Sequence, residues 1–250
     1  MDKRVCIFVD GENFRYSIEE LFRGEFDKRD YLPRNASWGK LFDWIVSEAT
    51  DDGKRLRTYW YVIQFIDFCP YKFPHSISNT EGLKKLLSKH PPLKGELDKI
   101  GDQNALIKRM EEIISDFISD RNKMTKRFSG WNTIQDGISQ RHHSIEFRKA
   151  GAIVYNLFDR TLGKEKAVDV KLATDLISLV NIYDMAVIVS GDQDYVPVVQ
   201  AVKDCGKKVV DVAFLTRSGQ LLPGGARRLN QVTDWSLQIS YDQFKTFLNL

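Results

Sequence analysis

The chain has little of several things that would announce a chemistry. Its 250 residues hold three cysteines, Cys6, Cys69 and Cys205, far apart and in no Cys-x-x-Cys pair. That excludes a disulfide framework and a zinc ribbon, and leaves buried free thiols that pack as small hydrophobes. No apolar run is long enough to span a bilayer, and Met1-Asp2-Lys3-Arg4 leads directly into a strand pattern with no secretory segment before it. A cytoplasmic location with no membrane partner is therefore expected. The charge balance is nearly even, 37 Lys and Arg against 34 Asp and Glu, for a net +3. Any affinity for nucleic acid must then come from uneven placement of charge. Neither Gly-x-Gly-x-x-Gly nor a P-loop Gly-Lys-Ser/Thr occurs, which argues against dinucleotide and nucleoside-triphosphate sites. There is no internal repeat and no low-complexity tract. At 42% hydrophobic and 28% charged residues, the chain can bury one sizeable core and carry an appended subdomain.

What it does have is carboxylates at the ends of apolar runs. Val5-Cys6-Ile7-Phe8-Val9 ends in Asp10, and Ala186-Val187-Ile188-Val189 is followed by Ser190-Gly191-Asp192-Gln193-Asp194. A third segment, Ala167-Val168-Asp169-Val170-Lys171-Leu172-Ala173-Thr174-Asp175, has helical spacing. β-branched apolar runs bounded by Gly and Asp read as buried parallel strands, and ligands in open α/β sheets lie beyond the carboxyl ends of such strands. Asp10, Asp192 and Asp194 belong at that edge. Gathered carboxylates repel, so a hard divalent cation such as Mg2+ or Mn2+ is the expected neutraliser. The alternative is that Asp10 and Asp192 only cap helices or turns.

Between these motifs, strands alternate with helical patterns in the rhythm of βαβ crossovers. Strands are predicted at 4–10, 57–68, 152–155, 185–190 and 208–214. Helices are predicted after Asn13, at 38–50, from Trp131 to about Lys149, from Val168, and at 195–205, with Gly206 at a positive-φ helix end. A helical turn at 227–230 and a terminal helix at 241–250 complete the tail. Residues 57–68 alternate apolar side chains on both faces, as in an interior strand, so their aromatics are assigned to the core.

The rhythm breaks over 69–130. Pro70, Pro74, Pro91 and Pro92 punctuate a polar stretch, and then Leu97, Ile100, Leu106, Ile107, Met110, Ile113, Ile114, Phe117 and Ile118 recur on one helical face. This segment reads as a helical insertion within a single domain. Its Lys84, Lys85, Lys89, Lys108, Arg109, Arg121, Lys123, Lys126 and Arg127 form either a phosphate-binding flank or a solvated surface. An oligomer interface is the other use for its apolar positions.

The motifs Phe8-Val9-Asp10-Gly11-Glu12-Asn13, Lys166-Ala167-Val168-Asp169 with Thr174-Asp175-Leu176, and Val189-Ser190-Gly191-Asp192-Gln193-Asp194-Tyr195, in that order, resemble those of NYN-domain proteins. This is the LabA-like branch of the PIN-like nuclease superfamily. The resemblance covers 4–68 and about 131–235. It implies a PIN-like, doubly wound, mainly parallel α/β sheet of order 3-2-1-4-5, and metal-dependent hydrolysis of RNA that leaves a 5′-phosphate. Carried over, Asp10, Asp169, Asp192 and Asp194 become the catalytic, metal-binding carboxylates, with Asp175 a second-rank metal ligand. Asn13 would orient Asp10 or touch a phosphate, or else serve as a helix N-cap. Lys164, Lys166 and Lys171 would receive phosphates. Phe14, Tyr16 and Tyr195 stack bases or pack in the core, and His142-His143 lie at the surface. The reading is a divalent-metal-dependent endoribonuclease acting on RNA, single-stranded or structured, with a homo-oligomer left open. The alternative is an RNA-binding or regulatory module with weak or no catalysis. Phosphatase chemistry is a weaker third reading, because Asp10-Gly11-Glu12 lacks the Asp-x-Asp-x-Thr of haloacid-dehalogenase-type phosphatases.

Overall fold

The computed structural model describes residues 2–25, 31–222 and 228–250. In chain order the elements are β1 (Lys3–Asp10), α1 (Gly11–Leu21), α2 (Trp38–Ala49), β2 (Gly53–Cys69), α3 (Thr80–Leu87), α4 (Pro91–Leu97), α5 (Gln103–Arg141), β3 (Ile145–Asn156) and β4 (Thr161–Lys166). They continue with α6 (Val168–Ser178), β5 (Met185–Val189), a 3-10 turn at Gln193–Tyr195, α7 (Val196–Asp204), β6 (Lys208–Phe214), α8 (Leu229–Val232), β7 (Trp235–Ile239) and α9 (Tyr241–Leu248). No helix among the described residues is long and apolar enough to cross a membrane.

The fold is α/β, with seven strands in the order β4-β3-β2-β1-β5-β6-β7. The pairings β1/β2, β1/β5, β5/β6 and β6/β7 are all parallel. This order differs from the expected five-stranded 3-2-1-4-5 because each edge carries a strand that the sequence pattern did not reveal. At one edge, the Lys-rich segment 161–166 is strand β4 beside β3, reached by the short turn after Asn156, whose Oδ1 accepts the Phe158 N–H at 2.9 Å. At the other edge, β7 pairs with β6 from Val210↔Trp235 to Phe214↔Ile239. Both strands are short and half polar, so they lack the apolar signature of interior strands.

The chain divides into two compact units, the first comprising residues 1–64, 130–151 and 166–250. Its core strands β1 and β5 are buried on both faces from Val5 to Asp10 and from Met185 to Val189. Their uniform apolarity is what central parallel strands require. Phe14 of α1 packs among Trp38, Trp60, Phe214 and Phe244, with ring centroids 5.4 to 6.0 Å away. Such aromatic clusters add attraction beyond the area they bury. Helices α6 and α7 pack on each other, α6 also on β1 and α7 on β6. Gly206 has φ of 77°, as the turn between α7 and β6 requires.

The second unit comprises residues 65–129 and 152–165. Its core is Leu83 and Leu87 of α3, Leu97 of α4, Leu157, and Leu106, Met110, Ile113 and Phe117 on one face of α5. The spacing 106, 110, 113, 117 gives a helical stripe. Ile118, one residue beyond it, is 47% exposed.

Three further expectations are corrected. The helix placed between Trp131 and Lys149 ends at Arg141, and β3 already begins at Ile145. Pairing beside β2, with Arg57 donating to Glu146 at 2.7 Å, outweighs the helical propensity of 145–149. The aromatics of β2 are core only through Ile63, and Phe65 is 56% exposed. Of the cysteines only Cys6 is buried, where desolvation pushes its thiol up to about 11, while Cys69 and Cys205 are exposed. Residues 223–227, which include the first residue of the predicted turn at 227–230, lie outside the described residues.

Candidate functional site

Asp10 closes β1, the strand between β2 and β5. The register Val9↔Val189 brings the end of β5, and Ser190 after it, beside Asp10. The chain then turns at once into α1 against β2. A Cβ on Gly11 would stand 2.2 Å from the Tyr61 carbonyl oxygen, so only glycine fits there.

Asp10 is 3% exposed, and all its hydrogen bonds come from uncharged donors. Oδ1 accepts the Asn13 N–H at 3.1 Å, which caps α1. Oδ2 accepts the Ser190 hydroxyl at 3.0 Å and the Tyr195 hydroxyl at 3.1 Å. Burial pushes the Asp10 carboxyl up to about 6; the three hydrogen bonds pull it down in part, and the Asp192 charge pushes it further up. Burial also raises Tyr195, with Asp10, Asp169 and Asp192 adding to the rise. Tyr195 thus feels three of the expected acids at once.

The loop after β5 is latched to α1. Asn13 is not an N-cap: its Oδ1 accepts the Gly191 N–H at 2.8 Å. The Ser190 hydroxyl also accepts the Asp192 N–H at 3.1 Å. Asp192 caps the 3-10 turn by accepting the Asp194 N–H at 2.9 Å, and Asp194 is exposed. Asp169 is half-buried in the first turn of α6 and accepts the Val170 N–H at 2.8 Å. The residue before that helix, Ala167, has φ of 73°, a left-handed conformation that costs a non-glycine residue roughly 1–2 kcal/mol.

Asp175 is placed differently. It is also 3% exposed, but its Oδ1 accepts Lys171 Nζ at 2.8 Å and its Oδ2 accepts Arg148 Nη1 and the Tyr61 hydroxyl, the latter at 3.0 Å. Burial would push this carboxyl up, yet Lys171, Arg148 and Tyr61 outweigh it and hold the group below its usual range. The Arg148 guanidinium also lies 4.0 Å from the centre of the Tyr59 ring and donates to Glu146 at 3.0 Å. Lys171 therefore joins Asp175 in a charge-balanced cluster. Lys164 and Lys166 on β4 are exposed.

Among the described residues, no Lys or Arg pairs with Asp10, Asp169, Asp192 or Asp194. Their donor chemistry, carboxylate oxygens without a cationic partner, fits a hard divalent cation. Among the same residues no three Asp, Glu, His or Cys side chains are grouped closely enough to hold one as they stand. The sequence did not disclose the roles of Ser190, Tyr61 and Arg148. Ser190 left a signal, a hydroxyl at the end of an otherwise apolar strand; Arg148 left none. Phe14 and Tyr195, each 1% exposed, are core residues and cannot stack a base, whereas Tyr16 is 62% exposed with Arg15 4.8 Å from its ring centre. His142 is half-buried and His143 exposed.

Residues 99–222 match the NYN domain family model. The matched residues belong to the NYN-domain family. This is a PIN-like nuclease family. The matched region holds Asp169, Asp175, Asp192 and Asp194; it begins within the segment read as an insertion and excludes the Asp10 motif. No curated protein matches the chain. A solved structure of a protein of unknown function from Vibrio parahaemolyticus aligns with a TM-score of 0.45 at 16% identity, covering 95% of this chain and 93% of that one.

Proposed function

We propose that this NYN-domain chain is a divalent-metal-dependent endoribonuclease of the LabA-like type, hydrolysing RNA phosphodiesters at the edge where β1 and β5 end. The observation that carries the reading is the electrostatic state of Asp10. It is a buried carboxylate held by neutral donors alone, adjacent in field to Asp192 and, through Tyr195, to Asp169. Uncompensated acids of this kind cluster at functional sites.

In this reading Asp10, Asp169, Asp192 and Asp194 hold Mg2+ or Mn2+, which supplies an activated water and offsets charge on the phosphodiester oxygens. Asp175 lies outside that set, because its charge is already balanced. The Ser190 and Tyr195 hydroxyls fix the orientation of the Asp10 carboxylate, and Asn13 fixes the loop that carries Asp192. Lys164 and Lys166, exposed and without a carboxylate partner among the described residues, meet flanking phosphates. The substrate is RNA, and the protein acts in the cytoplasm.

A second reading, an RNA-binding or regulatory module with weak or no catalysis, is favoured by one observation. Both Asp10 oxygens already accept hydrogen bonds, and among the described residues no three acids stand as a ready group. End-labelled RNA and DNA incubated with Mg2+, Mn2+ or EDTA separate the two readings. Metal-dependent RNA products lost in Asp192→Asn support the nuclease; RNA retained intact under every condition supports the module.

A further inference from the structure

The second unit contains a cavity of about 620 Å3, within the size range of small-ligand sites. Its walls are Tyr71, Phe73 and, from one face of α5, Ile114, Ile118 and Arg121, at the i, i+4, i+7 spacing that aligns side chains along a helix. Leu83 lines it from the unit's buried core. Tyr71 is 65% exposed, and Ile77 and Ile118 also stand open to solvent. Apolar surface rimmed by polar groups in this way marks an interaction site.

The charged residues that line it are Lys72, Arg121 and Glu111, and the carboxylate of Glu111 accepts the Ser76 hydroxyl at 2.7 Å. Four basic residues of this unit pair with acids: Lys84 with Asp98, Arg109 with Glu96 and Glu112, Lys123 with Asp120 and Arg160 with Asp120. Arg121 and Lys72 have no carboxylate partner among the described residues. They lie instead over aromatic rings, Arg121 5.1 Å from the centre of Phe68 and 5.9 Å from that of Tyr71, and Lys72 5.8 Å from that of Tyr71. A guanidinium held beside aromatic rings keeps N–H donors for a phosphate and a planar face suited to a base. Apolar walls, an exposed phenol ring and two cations against the single carboxylate of Glu111 are a combination that holds unpaired nucleotides. An apolar peptide helix would use the groove but leave both cations without a partner.

We propose that this cavity is an RNA subsite in which an unpaired base enters between Tyr71, Ile114 and Ile118, while its neighbouring phosphates lie on Arg121 and Lys72. It gives the nuclease reading a substrate class, single-stranded RNA, and rests on that reading only for cleavage of the bound strand.

The test measures binding of a fluorescein-labelled 12-nucleotide oligouridylate in EDTA by anisotropy, where turnover plays no part. Tyr71→Ala and Arg121→Ala are each expected to weaken binding about tenfold, the scale of one lost base stack. Arg121→Lys should recover less than half of that loss, since an ammonium does not stack. A 4-thiouridine probe should crosslink to peptides containing Tyr71 or Phe73. Wild-type affinity in both alanine variants, or a wild type that does not bind, overturns the subsite. So does a crosslink map without those peptides. Loss of a dimer in Ile118→Glu with RNA affinity unchanged also overturns it, and assigns the groove to a second copy. Cleavage assays on wild type and the same variants separate the two claims: RNA cut with unaltered affinity in the variants retains the nuclease and removes the subsite, and a wild type that binds RNA without cutting it, with binding weakened in the variants, does the reverse.

Discussion

Asp10 and Asp175 are buried to the same degree, 3% exposed each, and the protein treats them in opposite ways. Asp175 meets a guanidinium, an ammonium and a phenol, and is held ionised. Asp10 meets an amide and two hydroxyls, lies in the field of Asp192, and is pushed up to about 6. Burial alone therefore does not identify a functional acid. A carboxylate whose charge is cancelled locally belongs to the scaffold; one held by neutral dipoles beside other acids keeps a charge that a bound cation can relieve.

The largest expected effect tests the scaffold side. Asp175→Asn removes the buried carboxylate that joins Arg148 to Lys171, leaving Arg148 only Glu146 and Lys171 no carboxylate, and should lower unfolding free energy by about 3 kcal/mol in urea titrations. Asp175→Leu combined with Arg148→Met should recover most of that loss. Equal losses in the single and double variants would mean that the pair is not coupled.

On the other side, Asp10→Asn and Asp192→Asn should lower RNA cleavage at least ~100-fold, or about 2.7 kcal/mol of barrier, with circular dichroism unchanged. Initial rates in Mg2+ and Mn2+ measure it. Wild-type rates in both variants would make Asp10 as structural as Asp175.

A smaller effect concerns pH without metal. Because Asp10 rises from 3.8 to about 6 on folding, the native protein retains a proton that the unfolded chain has released between those values. Each pH unit over which only the native state holds that proton costs about 1.36 kcal/mol. Stability in EDTA should therefore fall by roughly 2 kcal/mol as pH rises from about 4 to 6, and level off above that range. Asp10→Asn should lack that fall and be the more stable protein at pH 7. Asp175, lowered by its partners, acts with the opposite sign: its contribution is present above the unfolded value and is lost as pH drops through the folded one. Urea titrations of both variants across a pH range of about 3.5 to 7.5 separate the two slopes, and identical profiles would remove the distinction.

The smallest effect extends the comparison to lysines. Lys171 is engaged by Asp175, whereas Lys164 and Lys166 have no carboxylate among the described residues. Lys164→Ala with Lys166→Ala should reduce the slope of log affinity for RNA against log salt by about 1.4, as two phosphate contacts on a single strand predict. Lys171→Ala should change that slope little and lower stability by about 1 kcal/mol. The reverse pattern would exchange their roles.

The strands that carry the candidate site were legible because a buried parallel strand has almost no freedom of composition. Val5 to Val9 and Ala186 to Val189 must be apolar on both faces, and their ends are marked by Asp10 and by Ser190-Gly191. The stripe through Leu106, Met110, Ile113 and Phe117 was legible for the same reason at helical period. The edge strands β4 and β7 were not, since half-exposed strands accept polar residues and take their conformation from the neighbour they pair with. The end of α5 was misplaced because β3 is decided by its partner β2, far away in sequence.

The sequence by itself determined the set of acids and their placement at chain turns, because apolar strand ends and a required glycine at position 11 leave few alternatives for where Asp10 and Asp192 can be. Apart from the local Lys171–Asp175 pair, which acid keeps its charge uncompensated was decided by tertiary structure. Asp175 is neutralised by Lys171, one helical turn earlier, together with Arg148, 27 residues earlier, and Asp10 is held by Ser190 and Tyr195, 180 and 185 residues later. The Coulomb and hydrogen-bond energies that set a carboxylate's state fall off over a few ångströms, so distance in space fixes them and separation along the chain does not.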